Sequence, residues 1–147
     1  LRQGALLTSP LQLCRFTAVF ANGGNLVTPY IIKAIDGRDV SGSHQKVSSV
    51  RLRRSTIERI REGMRQVVSG DAGTARVLAG APVAVAGKTG TAQTSDDKTH
   101  AWFSGFFPYD KPRYCICVFL ERGGSGSAAS AVAKQIIDSM AEEGFLP

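Results

Sequence analysis

Val83-Ala84-Val85-Ala86-Gly87-Lys88-Thr89-Gly90-Thr91-Ala92-Gln93 is an apolar run that turns polar without a break. Val83 to Ala86 read as a buried strand. Lys88-Thr89-Gly90-Thr91 continues that extended backbone with a cation, two hydroxyls and one residue without a side chain. Alternate side chains on a strand share a face, so Thr89 and Thr91 are expected on one face and Lys88 on the other. Gly90 leaves room for a second backbone to approach the edge. Such an edge suits a bound carboxylate and a carbonyl oxygen that becomes an oxyanion.

The elements on either side bear on how that strand is used. Ser9-Pro10-Leu11-Gln12 combines a cap, a proline at the first helical position and a glutamine that completes a capping box. Leu13, Phe16, Val19 and Phe20 are expected to face inward, and Asn22-Gly23-Gly24 stops the helix. Val27 to Ile35 reads as a short edge strand, with Asp36-Gly37 as a turn and a hairpin return before Val50. Ser41 to Lys46 reads as a polar loop. Ser55-Thr56-Ile57-Glu58 is a second capping-box pattern, followed at helical spacing by Ile60, Met64, Val67 and Val68. Gly70 to Ala75 ends that helix.

After the Lys88 strand, Thr94 to Thr99 is a polar loop. His100 to Phe107 and Tyr114 to Glu121 are apolar strands joined across Pro108 to Pro112. Both faces of the second are apolar, so both should be covered, and it has one evident neighbour where it needs two. Gly123 to Gly126 breaks it. A helix is expected from about Ala128 to Glu143, with Val132, Ile136, Ile137 and Met140 inward and Gly144 at its end. The fold class is therefore α+β: helices and a hairpin-like insert, then a three-stranded antiparallel meander, then a packing helix.

Composition sets outer bounds. The 147 residues are 43% hydrophobic and 20% charged, enough for one folded domain or part of one. No run is long and apolar enough to span a bilayer, and no signal peptide is visible. The opening Leu1-Arg2-Gln3-Gly4 lacks an initiator methionine, which raises the expectation of a fragment or processed product. The three cysteines form no disulfide framework, and no Cys/His spacing matches a metal site, so neither metal nor cofactor is expected. The net charge is +6, concentrated at Arg51, Arg53, Arg54, Arg59, Arg61 and Arg65. Without interleaved aromatics this reads as a solvated helix face, not a nucleic-acid platform.

In order, Thr8-Ser9-Pro10-Leu11-Gln12-Leu13, Ala21-Asn22-Gly23-Gly24, Thr28-Pro29, Gly87-Lys88-Thr89-Gly90-Thr91-Ala92-Gln93, Ala101-Trp102-Phe103-Ser104-Gly105-Phe106 and Glu121-Arg122-Gly123-Gly124 resemble the C-terminal part of a class B penicillin-binding transpeptidase domain. The resemblance covers nearly all of residues 1–147. It implies a serine acyltransferase fold with three motifs, Ser-x-x-Lys, Ser-x-Asn and Lys-Thr/Ser-Gly. It implies D,D-transpeptidation of a peptidoglycan stem peptide, interception by β-lactams, and a parent protein at the outer face of the cytoplasmic membrane. On this resemblance Lys88 and Thr91 are catalytic: Lys88 polarises the site, and the Thr91 N–H forms half of the oxyanion hole. Thr89, Gly90 and Thr91 bind the substrate, which lies against the strand edge as an added strand.

Two of the three motifs are not convincingly present. Ser-x-Asn is absent from the sequence, and Ser-x-x-Lys occurs as Ser43-His44-Gln45-Lys46 and Ser95-Asp96-Asp97-Lys98. The chemistry needs Ser and Lys one turn apart on a buried helix start, whereas both matches fall in polar segments. The expectation is a half-site, with the nucleophile half and the first strands of the sheet supplied by an upstream segment or another chain. The Tyr114–Glu121 edge is then a candidate for self-association. The alternatives are a basic binding module built on Arg51–Arg65 and a hydrolase using Ser43 and Lys46. His100 reads as a rim or packing residue, and Trp102 as core. Gly73-Thr74-Ala75 is either a site segment or a plain turn.

Overall fold

The computed structural model describes residues 7–44, 46–94 and 96–147, and of Ser43 and His44 the backbone only. Its main sheet has three antiparallel strands in the order β5-β6-β7: β5 is Ala86–Gln93, β6 Thr99–Phe107 and β7 Tyr114–Leu120. The register sets Lys88 opposite Ser104, Gly90 opposite Trp102, and Thr89 opposite Phe103. The meander matches its sequence expectation, except that β5 begins at Ala86 and Val83 to Val85 lead into it as irregular backbone.

Helices α1 (Pro10–Ala21) and α3 (Arg54–Ser69) pack on one face of the sheet, and α4 (Gly126–Glu142) on the other. The α4 face holds the main core. Phe103, Phe107, Ala129, Ala133 and Ile137 are buried there, with Val118 from β7. Small residues on α4 let the helix lie close to the large rings of β6, the size complementarity that interior packing demands. Ile136, expected inward, is exposed; Ile137, also expected inward, is buried, and Ala133 shares its line. The helix also starts at Gly126, two residues before the expected Ala128. Gly144 ends it with a φ of 76°.

The capping box on α1 forms as expected: Ser9 Oγ accepts from the Gln12 N–H at 3.3 Å and Gln12 Oε1 from the Ser9 N–H at 2.8 Å. Phe16, expected inward, is largely exposed and stacks edge-on against Phe20. The second capping box does not form. The N-cap of α3 is Arg53, without a side-chain cap bond, and Glu58 instead pairs with Arg54 at 2.8 Å. An i,i+4 ion pair has taken the carboxylate that the box required.

Between α1 and α3 lies the insert. β1 (Asn25–Val27) pairs with β4 (Val47–Ser49), and β2 (Ala34–Ile35) with β3 (Arg38–Asp39) around the Asp36-Gly37 turn. The hairpin return is real, but the single strand expected over Val27 to Ile35 is two short ones, with Pro29 between them and no ladder. The expected loop at Ser41 contains a one-turn helix, α2 (Ser41–His44), held by Asp39, which accepts the Ser41 N–H at 2.7 Å.

The basic face on α3 is not continuous. Arg51, Arg53, Arg54 and Arg59 are exposed. Arg61 turns inward and donates to the carbonyls of Phe20, Ala21 and Tyr109, with its guanidinium 5.0 Å from the Phe106 ring centre. Arg65 donates to the Val85 carbonyl at 3.2 Å. These two arginines tie α3 to α1 and to the approach of β5, so they are not the solvated surface their sequence suggests.

Candidate functional site

The outer edge of β5 has no ladder partner among the described residues. Lys88, Thr89, Gly90 and Thr91 stand in sequence along it. As expected, the side chains alternate. Lys88 and Gly90 line a cavity of about 590 Å³ with Trp102 and Ser104 from β6 and Phe16, Phe20 and Met64 from the helices. Thr89 and Thr91 turn toward α4 and the chain after α3.

The side chains of Lys88, Thr89 and Thr91 each have a partner. Lys88 is exposed, and its ammonium donates to the Thr89 carbonyl at 2.7 Å. No ion pair to Lys88 occurs among the described residues. The Thr89 hydroxyl lies 2.6 Å from that of Thr74. Thr91 Oγ1 accepts the backbone N–H of Gly126, the first residue of α4, at 3.3 Å. The connection after β5 is also clamped to the one that leads into α4. Arg122 pairs with Asp96 at 3.1 Å, and Thr99 donates to the Gly124 carbonyl at 2.8 Å.

The glycines along the strand have different causes. A Cβ at Gly87 would sit 2.4 Å from the Phe103 ring, so the core itself requires glycine there. At Gly90 the nearest atom would be Trp102 Cβ at 3.4 Å, an ordinary contact. The fold leaves the space over Gly90 open. At Gly126 a Cβ would meet Thr89 Cβ at 2.8 Å and the Gly90 backbone at 2.9 Å, so α4 abuts the Lys-Thr-Gly segment directly.

Thr74 and Gly126 join the site, although sequence reading left Thr74 undecided and treated Gly126 as a strand breaker. Their signal was present in the Gly73-Thr74-Ala75 turn after a helix and the glycine run after a strand, but neither names its partner. His100 is a packing residue: its Nδ1 accepts the Arg122 N–H at 3.0 Å and its ring lies 5.1 Å from Phe119. Trp102, expected in the core, is instead half-buried, 4.4 Å from Phe119, and lines the large cavity.

Of the serine–lysine pairs, the described residues place only the lysines. Ser95 and the side chain of Ser43 lie outside the described residues. Lys46 is past the end of α2, its carbonyl accepting the Thr28 N–H at 3.0 Å as the chain enters β4. Ser43 and Lys46 therefore do not share the helical turn that proton transfer between them requires. The cysteines are packed thiols. Burial, with Cys14 close by, pushes Cys115 up to about 12 and Cys117 up to about 11; burial also raises Cys14.

The site is thus an open strand edge carrying a lysine, two hydroxyls and a glycine. The family model of the penicillin binding protein transpeptidase domain matches residues 2–138. The chain belongs to that family. The chain is 32% identical over 156 residues to the peptidoglycan D,D-transpeptidase MrdA of Haemophilus influenzae, an alignment covering 92% of the chain and 24% of the relative. The solved structure of Pseudomonas aeruginosa PBP2 in complex with WCK 5153 matches with a TM-score of 0.81 and 38% identity, over 93% of this chain and 30% of that one. The complex of PBP2 and MreC from Helicobacter pylori matches with a TM-score of 0.82 and 30% identity, over 98% and 26%. The chain spans about a quarter of the length of the curated relatives it matches. Among the described residues no helix is long and apolar enough to cross a membrane.

Proposed function

We propose that residues 1–147 form the C-terminal portion of a peptidoglycan D,D-transpeptidase domain and carry the strand against which the stem peptide, or a β-lactam, is laid. The observation that carries this reading is the free β5 edge, where Lys88, Thr89 and Thr91 flank a Gly90 whose open side the fold does not fill. A stem peptide added antiparallel to that edge satisfies strand groups that have no ladder partner. Its terminal carboxylate meets the Thr89 and Thr91 hydroxyls and the field of Lys88. The Thr91 N–H donates to the scissile carbonyl oxygen as it becomes an oxyanion, a donor worth about 3 kcal/mol in the transition state.

The nucleophile is supplied by residues outside this chain. Neither Ser43–Lys46 nor Ser95–Lys98 is the base-activated pair, and the missing sheet neighbours lie beside β7. The parent protein acts at the outer face of the bacterial cytoplasmic membrane, in wall synthesis. The test is the intact mass of the chain after incubation with benzylpenicillin, beside the full-length protein. Acylation of the full-length protein alone, lost in Lys88→Ala, is the expected result. A shift of the isolated chain by one whole penicillin would place an acylating serine within it and overturn the half-site reading.

A further inference from the structure

We propose that Thr74 is a positioning residue for the anion subsite: its hydroxyl donates to Thr89 Oγ1 and so turns the Thr89 proton outward, toward the carboxylate of the bound ligand. This rests on the reading of Thr89 as a carboxylate-binding residue. The two hydroxyls lie 2.6 Å apart across 15 residues of sequence.

A hydroxyl has one proton to give. If Thr89 donates to Thr74, it presents lone pairs to an incoming carboxylate and repels it. If Thr74 donates to Thr89, the Thr89 proton is free for the anion, and the accepted bond strengthens the one it gives. A bound carboxylate selects the second direction. Thr91 is prepared by the same logic, but with no choice of direction. Gly126 N–H can only donate, so the Thr91 proton always remains available. Thr74 is thus the partner through which the subsite can respond to ligand charge.

The backbone under Thr74 is built to hold it. Ala75 is buried, and its N–H donates to the Val67 carbonyl at 3.0 Å. The Gly73 N–H donates to the Gly70 carbonyl at 2.9 Å, and a Cβ at Gly73 would fall 2.4 Å from the Val67 carbonyl oxygen. The turn at the end of α3 therefore fixes where the Thr74 side chain begins. Thr74 itself is exposed, so core packing does not account for its place at β5.

The test measures acylation of the full-length protein by benzylpenicillin and by its methyl ester, which keeps the shape and loses the charge. Thr74→Val is expected to slow the carboxylate by about five- to tenfold, the worth of one hydrogen bond, and the ester by much less. Thr74→Ser is expected to restore the rate. In a Thr89→Val background, Thr74→Val should cost nothing further. Equal loss with both ligands, or undiminished loss in the Thr89→Val background, would mean a structural role only and overturn the proposal. Thr89→Val leaving the carboxylate rate unchanged would instead overturn the carboxylate-binding reading on which it rests.

Discussion

Gly87 and Gly90 sit on the same strand for opposite reasons. The first is filled from inside by Phe103, and the second is left open from outside. Gly87→Ala is therefore expected to cost about 1–3 kcal/mol through overpacking, read as a fall in the urea midpoint. Gly90→Ala should leave that midpoint nearly unchanged and slow β-lactam acylation of the full-length protein by about 100-fold, because its methyl holds the ligand backbone off the edge. A rate close to that of the unaltered protein in Gly90→Ala would remove the added-strand geometry. The cysteines carry a second prediction. In the unfolded chain their thiols ionise near 9.0, whereas in the folded chain Cys115 and Cys117 ionise near about 12 and about 11. The unfolded state sheds its protons first. Their contribution to stability is complete below about pH 9 and is lost as pH rises toward 11 and 12. At about pH 8.5, iodoacetamide should label these thiols slowly in the native protein and rapidly in urea.

At the scale of elements, the apolar strands of the meander, the α1 cap and the Asp36-Gly37 turn were legible because each depends on neighbours in sequence. The α3 cap was misread because Glu58 had a competing local partner in Arg54, and the sequence does not say which bond wins. Ile136 and Ile137 were both placed inward, since a helical pattern does not fix its rotation to within one residue until a partner surface is known. Arg61 was read as solvated, since its three carbonyl partners lie 40, 41 and 48 residues away. Arg61→Ala should lower stability by about 2–3 kcal/mol by leaving those carbonyls without their charged donor. The exposed neighbour Arg59→Ala should change it by no more than about 0.5 kcal/mol. Thermal melts of the two variants side by side check this, and equal effects would count against an anchoring role for Arg61.

At the scale of the molecule, helices cover both faces of the sheet, and no strand pairs with either of its edges among the described residues. The β5 edge is polar, and on the proposed reading it is where the ligand is added. The β7 edge is a seven-residue strand with Tyr114, Ile116 and Phe119 among its side chains. Unpaired strands of that length and composition associate. The isolated chain is expected to form dimers or larger species at high concentration, and Ile116→Lys to reduce them. Sedimentation velocity that shows a clean monomer throughout would sink this expectation. The Lys-Thr-Gly strand was legible as a candidate site because its chemistry lies in one tripeptide. The halves that support it were not, because Thr74 and Gly126 reach Thr89 and Thr91 only through the folded chain.

The contact between Gly126 and the Thr89-Gly90 backbone also bears on inheritance. On the proposed reading, a lineage under antibiotic pressure would have a target outside the tripeptide itself. Any side chain gained at position 126 forces the first turn of α4 to retreat and takes the donor behind Thr91 with it. Drug escape and wall synthesis would then be traded at a residue that shares no motif with the site it disturbs.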